Sequence, residues 1–133
     1  MRGVFLDFMT KGVLDCDEKN GNIRFDIPNY LQGATLENMI VIIDESQNMS
    51  PSTLKMLMER LGKNSKLIVL GDKQQTYAVN SRKDGFTDFV NRITEVDGEN
   101  IRYSIEPLFN YLELNSSENK RSSLSKRVTE LYL

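Results

Sequence analysis

The chain has 133 residues, enough for one domain with a buried core, and its 39% hydrophobic and 27% charged residues argue against disorder throughout. A formal charge of −2 gives no general attraction to nucleic acid, so binding to RNA or DNA would need a local basic patch. The lack of histidine excludes a Ser-His-Asp triad, and the lone Cys16 excludes an intramolecular disulfide and fits a cytoplasmic protein. We expect no membrane partner, because no apolar run approaches the ~20 residues of a membrane span and the N terminus lacks a signal-peptide pattern.

Residues 1–27 are predicted to be separate from the main domain, which would occupy residues 28–133. The polar stretch "DCDEKNGN" (15–22) indicates a turn. The segments on either side of it therefore form either a hairpin or a loose appendage. The irregular connection "PNYLQGATLEN" (28–38) then leads into the domain.

A strand–helix–strand–helix order is predicted for the centre of the chain. "MIVII" (39–43) has the β-branched, apolar pattern of a strand that helices cover on both faces. A Ser-Pro pair starts a helix at Ser50, with Gly62 as the residue that closes it. "SKLIVLGD" (65–72) predicts a second strand, and helical spacing returns over residues 85–93. This order is typical of an α/β fold, an open parallel sheet with flanking helices.

The C-terminal part is predicted to contain short strands and one helix. "NIRYSI" (100–105) and "FNYLEL" (109–114) each have the composition of a strand. Leucine and valine at helical spacing predict a terminal helix over residues 124–132.

Acidic residues follow both central strands at the point where each strand ends. Asp44 and Glu45 come after the first strand, and Gly71 and Asp72 come after the second. Because ligands of open α/β sheets bind outside the carboxyl ends of the strands, we expect the three carboxylates to share one crevice. Such a crevice suits a nucleotide phosphate with Mg²⁺, since one carboxylate holds the metal's water shell and another orients or deprotonates the attacking water. Four apolar residues before Asp-Glu form the Walker B pattern, although the same pattern occurs where a strand merely meets solvent.

Gln75 adds a second polar group near the same strand ends. It lies three residues after Asp72, where an amide can donate to a γ-phosphate oxygen and accept from the attacking water. A glutamine alone indicates a surface residue, but next to the Asp-Glu pair it predicts a γ-phosphate sensor.

Several stretches match the motifs of one known family. "YLQGATL" (30–36) corresponds to an aromatic-Leu/Met-Arg-Gly-Arg-Thr-Leu motif, and "IDESQN" (43–48) corresponds to Leu-Asp-Glu-Ala-Gln-Asn. A Gly-Asp-x-x-Gln element is present at 71–75, and "KRSSLSKRVTELY" (120–132) matches a C-terminal segment that contains an arginine. The chain thus resembles the PhoH-like family of P-loop ATPases, which are related to superfamily one helicases and include bacteriophage members.

The resemblance implies ATP and Mg²⁺ as cofactors, RNA or DNA as a further partner, and a role for several residues. Asp44 would bind Mg²⁺ through water, and Glu45 would be the catalytic carboxylate. Gln75 would sense the γ-phosphate, and Arg121 would neutralise charge in the transition state, in cis or across a subunit boundary. The residues expected at the nucleotide are Asp44, Gly71, Asp72 and Gln75.

The sequence departs from the family in two places. Gln32 and Ala34 replace the two arginines of the first motif, so that loop offers neither positive charge to a phosphate. The Gly-Lys dipeptide at Gly62 lacks the preceding glycine and the following hydroxyl residue of a Walker A loop, which cradles the β-phosphate. We therefore expect the C-terminal portion of a PhoH-like ATPase, with its P-loop supplied by an upstream segment, a partner chain or a homo-oligomeric ring.

Two other functions use the same residues. A non-catalytic interaction module, or a decoy subunit in a ring, would keep the fold without turnover, and Glu45→Gln would then leave its function unchanged. An acidic metal-dependent nuclease would use the same carboxylates, but the sequence lacks a lysine or further acidic residues at suitable spacing.

Overall fold

The computed structural model describes residues 2–72 and 84–114, together with Arg127 and Leu131. In this part of the chain the helices are α1 (Arg2–Phe5), α2 (Lys11–Lys19), α3 (Pro51–Met58) and α4 (Gly85–Ile93). The strands are β1 (Ile40–Ile43), β2 (Lys66–Val69), β3 (Thr94–Val96) and β4 (Arg102–Ser104). Short 3₁₀ turns cover Pro28–Leu31 and Ser46–Asn48. The chain divides into two compact units, Met1–Arg92 and Ile93–Leu133.

The first 27 residues contain helices, so the hairpin considered for this region is wrong. Thr10 caps α2, because its Oγ1 accepts a hydrogen bond from the N–H of Val13 at 3.4 Å. The helix continues through the polar residues 15–19, and the predicted turn begins only at Asn20. Leu14 of α2 is completely buried. The domain boundary after residue 27 stays a prediction.

The predicted strand–helix–strand order is confirmed in the first unit. β1 and β2 pair in parallel, with Ile40 opposite Lys66 and Ile43 opposite Val69. α3 lies between them in the chain, and its first turn is fixed by Ser50, whose Oγ accepts from the N–H of Thr53 at 3.1 Å. The chain is therefore α/β, with a small parallel sheet.

The end of α3 differs from the prediction. The helix stops at Met58, so Gly62 is not the residue that closes it. Instead the N–H of Gly62 donates to the C=O of Leu36 at 2.8 Å, next to a bridge between Leu36 and Leu61. The chain packs closely around Gly62, since a Cβ there would lie 2.4 Å from Cγ of Glu37 and would require that side chain to move.

One face of the two-stranded sheet packs on the core, and the other is exposed. The buried core residues are Ile43, Leu54 and Leu57, and the partly buried residues around them are Leu31, Val41, Met49, Met56, Met58, Leu67, Val69 and Phe89. Alternate residues of the strands, together with the residue directly after β2, form an exposed apolar face. It consists of Ile40, Ile42, Ile68 and Leu70, each between 41% and 66% exposed. Helices therefore do not cover both faces of the sheet within the described residues, contrary to prediction.

The second unit contains one antiparallel strand pair. β3 and β4 pair with Thr94 opposite Ser104, which confirms the strand predicted within residues 100–105. Residues 109–114 form no strand, so that prediction is wrong. Of the predicted terminal helix, the two described residues, Arg127 and Leu131, are helical. In the described part of the chain, no helix is long and apolar enough to cross a membrane.

Candidate functional site

The segments that follow β1 and β2 are hydrogen-bonded to each other. The N–H of Leu70 donates to the C=O of Ile43 at 2.8 Å, and the C=O of Leu70 accepts from the N–H of Ser46 at 3.0 Å. The Oγ of Ser46 donates to the same carbonyl at 2.6 Å, and Ser46 is completely buried. The residues that follow the two strands are therefore held next to each other, as the parallel pairing predicts.

Glu45 has a backbone conformation that is unusual for its residue type. It lies in the left-handed region, with φ of 53° and ψ of 36°, at the point where the chain turns out of β1. A residue other than glycine in this region costs about 1–2 kcal/mol. The Oδ1 of Asp44 accepts a hydrogen bond from the N–H of Glu45 at 3.0 Å and so satisfies the turned peptide. Such strain is found mainly where the position of a side chain matters for function.

The side chain of Gln47 connects the ends of the two strands. Its Nε2 donates to Oε2 of Glu45 at 2.8 Å, and its Oε1 accepts from the N–H of Asp72 at 3.1 Å. Gln47 is only 2% exposed. Nδ2 of Asn48 donates a longer bond, 3.4 Å, to the same Oε2 of Glu45. Among the described residues, both hydrogen bonds to the Glu45 carboxylate are therefore accepted by Oε2. Its Oε1 can accept a hydrogen bond from a ligand or from water.

The start of α4 packs against the same strand ends. A Cβ on Gly71 would lie 2.5–2.7 Å from three ring atoms of Phe86, so a larger residue would require the ring or the backbone to move. The N–H of Gly85 donates to the C=O of Met49 at 2.7 Å, which ties the first residue of α4 to the turn after β1. Close packing therefore accounts for the glycine of the Gly-Asp pair independently of a ligand.

A cavity of about 400 Å³ runs beside β1. It is lined by the consecutive residues 39–44, by residues of the 21–28 segment, and by Leu31, Leu36, Met49 and Leu57, and none of its lining residues belongs to β2. It therefore follows the edge of β1 that faces away from β2, and Asp44 lies at its end. Its volume is within the range of small-molecule sites.

Comparison with known proteins identifies the family of this chain. The sequence matches the family described as "PhoH-like protein" over residues 3–133. The chain belongs to the PhoH-like family. This family is related to P-loop NTPases, whose general property is nucleotide binding, and the parallel strand pair with its connecting helix is consistent with their α/β fold.

Three relatives show how much of a PhoH-like protein the chain covers. It is 38% identical to the PhoH-like protein of Synechocystis sp. over 114 residues, which are 86% of this chain and 32% of that protein. It is 31% identical to the PhoH-like protein of Bacillus subtilis over 103 residues, 77% of this chain and 29% of that protein. It is 30% identical to Protein PhoH of Escherichia coli K12 over 103 residues, 77% of this chain and 26% of that protein. The chain therefore spans about a third or less of the length of these relatives.

The structure places four of the six predicted site residues of this PhoH-like chain. Asp44 and Glu45 follow β1, and Gly71 and Asp72 follow β2. The two others, Gln75 and Arg121, lie outside the described residues. In residues 2–72 and 84–114, no group of three or more acidic or cysteine side chains is placed to hold a metal ion. That Asp44, Glu45 and Asp72 share one crevice stays a prediction; Gln47 connects the carboxylate of Glu45 to the backbone of Asp72.

Gln47 is the residue that the sequence interpretation missed. In the sequence it is one residue of the motif "IDESQN" (43–48), and no role was predicted for it. Its sequence signal is weak, since a glutamine two residues after an acidic strand end is ordinary on a surface. Its burial and its bond to Asp72, 25 positions away, become visible only in the folded chain.

Proposed function

We propose that this chain is the C-terminal portion of a PhoH-like ATPase of the bacteriophage type, which carries the Walker B carboxylates but no Walker A loop. It hydrolyses ATP when an upstream segment, a partner chain or a neighbouring subunit of a ring supplies the P-loop. The observation that carries this proposal is the Glu45 carboxylate, held at the end of β1 by Gln47, which is itself bonded to the end of β2.

Glu45 acts on the attacking water. A general base must lie within hydrogen-bond reach of the proton it accepts, and its carboxylate must be held in one orientation. The bonds from Gln47 and Asn48 hold Oε2, so Oε1 orients or deprotonates the water. The strained backbone of Glu45 supports this role, because it turns the side chain away from the direction that a continued strand would give it.

Asp44 fits a role in holding Mg²⁺. Protein-bound Mg²⁺ keeps several waters and takes one or two carboxylates together with the substrate phosphates, so a single acidic side chain is sufficient. Asp44 is half-buried at the end of β1, and its Oδ1 is engaged with the N–H of Glu45, which leaves Oδ2 for a water of the metal. When bound, Mg²⁺ neutralises the negative charge that develops on the phosphates.

The remaining assignments rest on the family resemblance. Gln75 senses the γ-phosphate, Arg121 neutralises charge in the transition state, and Gly71 and Asp72 lie next to the nucleotide. The sheet is of the helicase-like P-loop type, and hydrolysis is coupled to RNA or DNA. The lone Cys16 supports a cytoplasmic location.

The exposed apolar face of the sheet supports the need for further protein. Sheets most often contain about four to six strands, so the two strands β1 and β2 are few for an α/β domain. Its four outward residues, Ile40, Ile42, Ile68 and Leu70, are all at least 41% exposed. Covering such side chains is favourable by about 25 cal/mol for each Å² of apolar surface removed from water. A segment that carries the P-loop gains this energy when it packs there.

Nucleotide binding tests the proposal directly. A fluorescent ATP analogue is titrated, with and without Mg²⁺, into the chain alone and into the chain joined to the portion of the Synechocystis relative that lies outside the match. We expect Mg²⁺-dependent binding in the joined protein, weakened about tenfold or more by Asp44→Asn. The exposed Asp7→Asn is the matched control and should leave binding unchanged. Absence of binding in both forms would contradict the proposal.

A second candidate function is a non-catalytic module that keeps the fold for interaction. It is favoured by the absence of a Walker A motif from these 133 residues. The module predicts that Glu45→Gln leaves function unchanged, whereas the ATPase predicts a loss of turnover.

A further inference from the structure

Gln47 combines three features that a surface glutamine lacks. It is 2% exposed, its amide nitrogen bonds to a carboxylate, and its amide oxygen bonds to a backbone N–H of another strand end. A buried amide with partners on both atoms has one fixed orientation, because rotating it by 180° would set its oxygen against the carboxylate of Glu45 and its NH₂ against the N–H of Asp72.

We infer that Gln47 is a positioning residue that fixes the Glu45 carboxylate and makes its orientation depend on the chain that follows β2. This inference rests on the proposed function, in which Glu45 acts on the attacking water. Gln47 itself touches neither nucleotide nor water in this assignment and acts through Glu45.

Holding the two strands together does not require Gln47. The strand ends are already connected by backbone bonds, from Leu70 to Ile43 at 2.8 Å and from Ser46 to Leu70 at 3.0 Å, and by the Ser46 hydroxyl. The bond between Gln47 and Asp72 lies farther from the strands than these bonds, four residues after β1 and three residues after β2. Its specific effect therefore falls on the group at the other end of the amide, which is the Glu45 carboxylate.

The chemistry of glutamine matches this task better than that of similar side chains. Leucine has a comparable volume but neither donates nor accepts a hydrogen bond. Glutamate would still accept from the N–H of Asp72, but it would place a second negative charge where Nε2 now lies 2.8 Å from Glu45. Only an amide donates to the carboxylate and accepts from the backbone at the same time.

Because Gln47 is also bonded to Asp72, the orientation of the Glu45 carboxylate depends on the position of the chain after β2. Asp72 comes three residues before Gln75, the proposed γ-phosphate sensor. A shift of the backbone at Asp72 lengthens or shortens its bond to Gln47 and so moves the carboxylate at the other end of the amide. The orientation of the Glu45 carboxylate therefore depends on the position of the Asp72 backbone.

Steady-state kinetics of the joined protein test the positioning role. We expect Gln47→Leu to lower kcat about tenfold to a hundredfold while KM for ATP changes less than about twofold, because the misplaced carboxylate affects the reacting water and not nucleotide binding. Gln47→Glu should lower kcat at least as much, although it keeps the bond to Asp72. Gln32→Leu is the same chemical change on an exposed glutamine and should leave both constants unchanged. An unchanged kcat, or parallel changes in kcat and KM with a lowered unfolding midpoint, would overturn the inference.

Nuclear magnetic resonance of the unjoined chain tests the coupling without any hydrolysis. We expect Glu45→Gln to move the side-chain amide signals of Gln47 and the backbone amide signal of Asp72. In the Gln47→Leu background, Glu45→Gln should no longer move the Asp72 signal. If Asp72 responds equally in both backgrounds, the coupling does not pass through Gln47 and the inference fails even if ATP is hydrolysed. If no form hydrolyses ATP, the proposed function fails, and the response of Asp72 alone decides the coupling.

Discussion

Replacing Gly71 by alanine tests how tightly α4 is fixed to the end of β2. The added Cβ would lie 2.5 Å from one ring atom of Phe86 and 2.7 Å from two others, where ordinary contacts begin at 3.4 Å. The first residue of α4 is held in place, because the N–H of Gly85 donates to the C=O of Met49 at 2.7 Å. The backbone at Gly71 or the ring must therefore move by close to an ångström.

Overpacking of this kind typically destabilises a protein by about 1–3 kcal/mol. We expect a loss of this size in the free energy of unfolding of Gly71→Ala, measured by urea denaturation followed by circular dichroism. Gly98→Ala is the control, since a Cβ there meets no atom within 4 Å, and it should be neutral or stabilise the chain by up to about 1 kcal/mol.

A double-mutant cycle identifies the cause of the loss. In the Phe86→Ala background the ring is gone, so Gly71→Ala should cost less than about 0.5 kcal/mol, and the coupling energy should account for most of the single-mutant effect. A cost that persists without the ring would refute the steric argument, as would a Gly71→Ala chain as stable as the parent.

Three further predictions concern stability and titration. Leu54→Ala, at a core position that is 1% exposed, should lower the free energy of unfolding by about 2–5 kcal/mol, and a loss below about 1 kcal/mol in urea denaturation would show that the site is not a packed core. Ser46→Ala should cost only about 1 kcal/mol in the same assay, since the C=O of Leu70 keeps its bond to the N–H of residue 46. Burial and a hydrogen bond to Glu113 raise the pKa of Tyr111 from 10.0 to about 12, so folding favours the neutral phenol. The stability from Tyr111 should be fully present below pH 10 and lost as the pH rises through 12, and the late tyrosinate absorbance should disappear in Tyr111→Phe.

The sequence predicted those parts of the fold that local patterns determine. The apolar run before Asp44 and the Ser50-Pro51 start of α3 depend on neighbouring residues only, and the structure confirms both. The helix of residues 11–19 was missed because its polar second half has the composition of a turn, whereas its cap at Thr10 lies one residue before the helix and bonds to Val13. The prediction of a turn followed the polar composition of residues 15–22 and did not use Thr10 as a helix cap.

The missed features of the site depend on contacts between distant residues. Gly62 and Gly71 were predicted to be a helix end and a ligand contact, but at both positions side chains from elsewhere in the chain approach the backbone closely. No role was predicted for Gln47, because its partner, Asp72, is 25 positions away. The alternation of exposed and buried residues in β1 was also not predictable. A strand that is apolar on both faces does not indicate which face packs on the core and which is exposed.

The central claim is that Glu45 is the carboxylate on which hydrolysis depends. The most direct measurement is single-turnover hydrolysis of ATP by the joined protein that carries Glu45→Gln, compared with Glu59→Gln, a matched change on the exposed surface of the same unit. We predict that Glu45→Gln slows hydrolysis by at least about 10²-fold with nucleotide affinity retained, and that Glu59→Gln hydrolyses at the parent rate. Hydrolysis by Glu45→Gln at the parent rate would contradict the account.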